Sequence, residues 1–70
     1  WTADLARWAD DQLAGGGSPL LDEALPAFER TLIEAALRCA QGKRLEAAKL
    51  LGWGRNTLTR KIKELGLNDD

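Results

Sequence analysis

The chain has 70 residues, no histidine and one cysteine, Cys39, so it holds little with which to do chemistry. A disulfide scaffold needs paired cysteines, and a zinc site needs several Cys or His ligands at set spacings, so both are excluded. Histidine-based acid/base catalysis goes with them. The adjacent carboxylates Asp10–Asp11 and Asp69–Asp70 point away from one another on a helix or sit at a frayed end, and offer no convergent pair. The glycine run Gly15-Gly16-Gly17 is followed by Ser18 and Pro19, not by the Lys-Ser/Thr ending of a phosphate-binding loop. No apolar run approaches the roughly 20 residues of a membrane span, and no signal peptide is visible. The fragment reads as catalytically silent, without cofactor or metal, and a reducing cytoplasm is its simplest setting. It begins at Trp1 rather than Met, which reads as a piece of something longer. Seventy residues make one small domain, and three or four helices leave a thin core unless a second chain completes it.

What is present concentrates between Arg44 and Gly66, RLEAAKLLGWGRNTLTRKIKELG. Leu45, Ala48 and Leu51 recur at i, i+3 and i+6 and give one short helix an apolar side, with Leu45 expected in the core. Gly52 ends that helix where a positive φ is wanted. After Trp53 and Gly54 a second helix begins, with Leu58, Ile62 and Leu65 turned to the core. Asn56, Thr59, Arg60 and Lys63 fall opposite, with Arg55 at the leading end. Small Ala47 and Ala48 allow the two helices to cross closely. Two helices around a short Gly-containing turn form a helix-turn-helix unit, and Arg, Asn and Thr are side chains that reach base edges and phosphates in a major groove. The bland alternative is an αα-hairpin that only packs, its basic face solvated.

Charge distribution sharpens the choice. The net charge is only −1, but residues 1–42 carry three basic against seven acidic side chains. Residues 43–63 carry Lys43, Arg44, Lys49, Arg55, Arg60, Lys61 and Lys63 against Glu46 alone, and the tail adds Glu64, Asp69 and Asp70. One basic end on an otherwise acidic chain is the footprint of a domain that presents that end to nucleic acid.

Upstream, Thr2 is positioned to cap a helix running to about Ala14, with Asp4 in its first turn and Leu5, Trp8, Ala9 and Leu13 on its apolar face. The GGGSP stretch reads as a loop inside the domain, the alternative being the end of an interdomain linker. A second helix is expected from about Asp22 to Gln41, its regular part starting near Pro26. It carries two apolar stripes: Leu25, Phe28, Leu32, Ala35 or Ala36 and Cys39 in one; Ile33, Leu37 and Ala40 in the other. Either one stripe packs on the helix-turn-helix while the other meets a partner chain, or both form a single wide core face. Arg30, Glu34 and Arg38 suit the exposed side as i,i+4 pairs.

The run EAAKLLGWGRNTLTRKIKELG, Glu46 to Gly66, resembles the C-terminal Fis-type helix-turn-helix of the nitrogen regulatory protein C (NtrC) family. These are bacterial enhancer-binding response regulators. The resemblance extends through ERTLIEAALRCAQG, Glu29 to Gly42, and more loosely to LARWADDQL, Leu5 to Leu13. It implies an all-α, Fis-like four-helix domain over residues 1–70: dimerisation helices within 1–42, the helix-turn-helix at 43–66, then a short tail. It further implies a homodimer, with Leu5, Trp8, Leu25, Phe28 and Leu32 at the pairing surface, that binds double-stranded DNA at enhancer-like inverted repeats. The parent protein would carry a receiver and an AAA+ ATPase domain and act with sigma-54 RNA polymerase on nitrogen-assimilation genes, in the bacterial cytoplasm at the nucleoid.

Carried onto this sequence, the resemblance places base contacts on Arg55, Asn56 and Arg60 and backbone contacts on Lys43, Thr57, Thr59 and Lys63. Lys61 is a further phosphate candidate. Asn56 has an alternative role as the helix N-cap. Trp53 either stacks on a base or plugs the gap between the two helices, and Cys39 is expected as a small core residue. The competing function is an adaptor that contacts protein through its first two helices.

Overall fold

A computed structural model describes residues 1–17 and 19–67; Ser18 and the expected tail from residue 68 lie outside the described residues. The described residues form four helices and no strand: α1 (Thr2–Gly15), α2 (Leu20–Cys39), α3 (Arg44–Leu51) and α4 (Arg55–Glu64). This is the all-α architecture expected, with some boundaries moved.

Thr2 does not cap α1. The Leu5 N–H donates to the Trp1 carbonyl at 3.0 Å, so Trp1 is the boundary residue and Thr2 already lies inside the helix. The Trp1 ring stacks on Phe28 of α2, with centroids 6.0 Å apart, within the range of favourable aromatic pairs.

Helix α2 starts two residues earlier than expected, and Pro26 sits well inside it. The proline has no N–H to give the Asp22 carbonyl. One missing hydrogen bond does not end a helix whose later turns are fixed by packing. At the other end the helix stops at Cys39, short of Gln41, because Gln41 takes a left-handed φ of 56°. The Gln41 N–H donates to the Arg38 carbonyl and the Gly42 N–H to the Leu37 carbonyl, which closes the end in a Schellman motif.

The buried core consists of Ile33 and Ala36 from α2, Ala47 and Ala48 from α3, and Leu58 and Ile62 from α4, with Leu37, Ala40, Leu51, Trp53, Leu65 and Leu67 packed around it. The second stripe of α2 therefore carries most of the packing. Two core expectations fail. Leu45 is 49 % exposed, because α3 turns Ala47 and Ala48 inward and leaves Leu45 on the outer side. Cys39 is a free, exposed thiol at the last residue of α2; it lies on the exposed Leu32 side of the helix, turned away from the Ile33, Leu37 and Ala40 side that packs on the core.

At the tight turn, Gly52 has φ 83° and ψ 20°; its N–H donates to Lys49 and the Trp53 N–H to Ala48. Trp53 is half-buried and packs against the core. A Cβ built on Gly52 meets nothing within 4 Å, so the cost of a side chain there is conformational rather than steric. Gly52→Ala is expected to destabilise the domain by about 1–2 kcal/mol, the ordinary penalty for a left-handed L-residue. Chemical denaturation should show a lower midpoint with unchanged slope.

Helix α1 has no buried residue and packs on α2. Leu5 is exposed and Trp8 half-buried. On α2, Leu25, Phe28 and Leu32 remain 43–46 % exposed. The apolar surface of the first two helices is thus larger than one copy of the chain covers.

Candidate nucleic-acid interface

Helix α4 is amphipathic in the strict sense that each residue has one task. Leu58 and Ile62 are buried, one turn apart, and Leu65 follows on the same side. Roughly opposite stand Asn56, Arg60 and Lys63, all exposed, with exposed Thr59 at the margin. Arg55 is the first residue of the helix and is also exposed.

The boundary residue before α4 is Gly54, and no side chain caps the helix. The alternative role of Asn56 as N-cap is therefore excluded: it stands two positions inside, with its amide turned to solvent. Helix α4 also has no acidic residue in its first turn, so the positive end of its dipole is unbalanced and sits beside the Arg55 guanidinium. Two like charges gathered at one helix start favour an anion brought from outside.

Among the described residues, no ion pair or side-chain hydrogen bond engages Arg55, Asn56, Thr59, Arg60 or Lys63. Lys43 is the exposed boundary residue before α3 and is equally unpaired among them. Thr57 is half-buried on the flank of α4.

Lys61 stands apart from the other cations. Its ammonium is 3.0 Å from Glu29 Oε2 and 3.2 Å from Glu29 Oε1, with Glu64 Oε1 at 3.9 Å. The Lys61 and Glu29 side chains are only 23 % and 16 % exposed. Arg30 also departs from expectation. Rather than pairing along α2, its Nη2 donates to the Leu65 carbonyl at 2.9 Å, at the end of α4. Sequence reasoning missed Glu29 and Arg30 as supports of α4. The Glu29–Lys61 pair spans 32 residues, and no local periodicity announces such a partner.

The pattern of the family described as "Bacterial regulatory protein, Fis family" matches residues 24–65, which takes in the whole helix-turn-helix and most of α2. The chain belongs to the Fis family. Similar proteins carry the name "DNA-binding transcriptional regulator NtrC". In Escherichia coli K12 the identity is 61 % over 67 residues, covering 96 % of this chain and 14 % of the relative. In Proteus hauseri it is 56 % over 69 residues, covering 99 % of this chain and 15 % of the relative. In Rhizobium meliloti it is 49 % over 51 residues, covering 73 % of this chain and 10 % of the relative. This Fis-family chain thus spans about one seventh of the length of its relatives from Escherichia coli and Proteus hauseri. No solved structure matches it. Among the described residues, no helix is long and apolar enough to cross a membrane.

Proposed function

We propose that this Fis-family domain binds double-stranded DNA sequence-specifically as a homodimer, at inverted repeats, and thereby places a transcription activator at its target. One observation carries the reading: the outer face of α4 gathers Asn56, Arg60 and Lys63, with Arg55 at its leading end, and none of the four has an ion-pair or hydrogen-bond partner among the described residues. Unpaired cations and amides on one helix face suit a polyanion with hydrogen-bonding edges. In this reading Arg55, Asn56 and Arg60 contact bases, while Lys43, Thr59 and Lys63, with Thr57 at the flank, contact the phosphate backbone. The likeness to proteins named as DNA-binding transcriptional regulators supports the same assignment.

The uncovered apolar surface supports homodimerisation. Leu25, Phe28 and Leu32 of α2, with Leu5 and Trp8 of α1, form a face that a second copy would cover. Two α4 helices would then enter successive major grooves about 34 Å apart. The same face is what favours the competing adaptor reading, and a single substitution separates the two. In Phe28→Asp the chain is expected to sediment as a monomer. Its affinity for an inverted repeat should fall at least about 100-fold, because the second half-site no longer adds to the first. Its weak binding to unrelated DNA should persist, since that depends on phosphate contacts. A monomer that binds the repeat as tightly as the parent chain would refute the paired arrangement.

The family resemblance extends the proposal to the parent protein: a receiver domain, an AAA+ ATPase domain, and action with sigma-54 RNA polymerase on nitrogen-assimilation genes in the bacterial cytoplasm. Selection from a randomised duplex library tests the domain itself. A two-fold-symmetric site should be enriched; if nothing is enriched even at low salt, the basic helix is only a solvated face.

A further inference from the structure

Lys61 lies on the same helix as the proposed DNA contacts, yet its charge is satisfied within the protein. The flank that holds it also shows how α4 is held. The two buried residues of the helix, Leu58 and Ile62, lie on one line along it. Two apolar anchors on one line fix the depth of a helix but resist rolling about that line poorly, because apolar contact is non-directional. Lys61 precedes Ile62 and so projects about 100° around the helix from it. A bond made there acts on the roll.

Two such bonds come from adjacent residues of α2. The Glu29 carboxylate takes Lys61 through both oxygens, at 3.0 and 3.2 Å. The Arg30 guanidinium donates to the Leu65 carbonyl at 2.9 Å. Lys61 and Leu65 are one helical turn apart, so α2 grips α4 at two points along its last turn. Both bonds involve a charged group, which makes them stronger than neutral ones. The same helix, α2, carries the exposed Leu25, Phe28 and Leu32.

We propose that Glu29 and Arg30 are positioning residues that set the roll of α4 relative to α2, and that Lys61 serves this clamp rather than the phosphate backbone. The proposal rests on the reading of α4 as the DNA-contacting helix. Its consequence is that sequence discrimination is built partly on residues that never touch DNA. A rolled helix keeps its cations near phosphate, where the geometry is tolerant, but loses the alignment that a bidentate base contact demands.

The test compares Glu29→Gln, Arg30→Gln, Lys61→Gln and Lys61→Arg with the parent domain, on the selected duplex and on a scrambled one. Glu29→Gln, Arg30→Gln and Lys61→Gln are each expected to lower the ratio of selected to scrambled affinity about tenfold, the scale of one misaligned base contact. Lys61→Arg, which keeps the charge, should retain the ratio. The salt slope should be unchanged in Lys61→Gln, whereas Lys63→Gln should reduce it by about 0.9 for each phosphate that is no longer neutralised. Amide exchange without DNA supplies an independent readout. The amides from Lys61 to Leu67 should exchange faster in Glu29→Gln and Arg30→Gln, while those around Ile33 do not. A slope that falls in Lys61→Gln with the ratio unmoved, or exchange unchanged at the end of α4, overturns the proposal. A parent domain with no sequence preference would instead overturn the DNA reading, and the exchange data would still decide whether the clamp exists.

Discussion

Replacing Arg55, Asn56 and Arg60 together by alanine is expected to abolish discrimination between the selected duplex and a scrambled one, with the fold intact. Each good bidentate base contact contributes about 1–3 kcal/mol of discrimination. Removing three should therefore reduce the ratio of specific to non-specific affinity by about 100-fold or more. The fold should survive because all three side chains are exposed, Asn56 and Arg60 on the side of α4 away from Leu58 and Ile62 and Arg55 at the first position of the helix. Exposed substitutions of this kind usually change stability by no more than about 0.5 kcal/mol, and alanine is the residue most favourable to helix. Fluorescence anisotropy on both duplexes, with a circular dichroism melt of each variant, checks the two halves together. Retained discrimination would remove these residues from the interface. A collapsed melt would show that their role is structural.

Leu58→Ala should do the reverse. Leu58 is fully buried between α4 and the helices beneath it, and large-to-small changes at such positions cost about 2–5 kcal/mol. A chain of this size has only about 3.5–10 kcal/mol of stability in total. A melting temperature lower by about 10–20 °C is expected, together with apparent loss of DNA binding at ordinary temperature. The two losses differ in kind. The selected duplex should raise the melting temperature of Leu58→Ala, because ligand binds only the folded chain. The same duplex should barely move that of the triple variant. A Leu58→Ala domain that melts within a few degrees of the parent would mean that the site collapses without leaving a cavity.

These two predictions draw on different amounts of sequence information. The helix-turn-helix is legible residue by residue: Gly52 needs its left-handed backbone, Ala47 and Ala48 permit the crossing, and the Leu58–Ile62–Leu65 spacing leaves Asn56 and Arg60 outside. All of these are local rules, acting within about one or two helical turns. The departures share a different cause. Spacing alone puts Leu45 in the core, but a three-residue apolar pattern does not say which of two neighbouring stripes meets the next helix. Cys39 lies outside the core for the same reason: it shares its stripe with Leu32, and it is the neighbouring Ile33–Leu37–Ala40 stripe that meets the next helices. Thr2 yields the capping position to Trp1, the residue whose ring reaches across to Phe28. Glu29 and Arg30 cannot be read as supports of α4 from local pattern, because their partners are more than 30 residues away. On sequence alone Arg30 belongs with Glu34 and Arg38 to an exposed i,i+4 series.

Helix α4 assigns packing and contact to different residues. Leu58 and Ile62 fill the core, while Asn56, Arg60 and Lys63 make no polar contact among the described residues. Under the proposed function this division matters for evolution more than for stability. A duplicated gene can change its target by drifting at the outer positions, one substitution at a time, without passing through an unfolded intermediate. The sequence of the address and the integrity of the reader are inherited on separate letters.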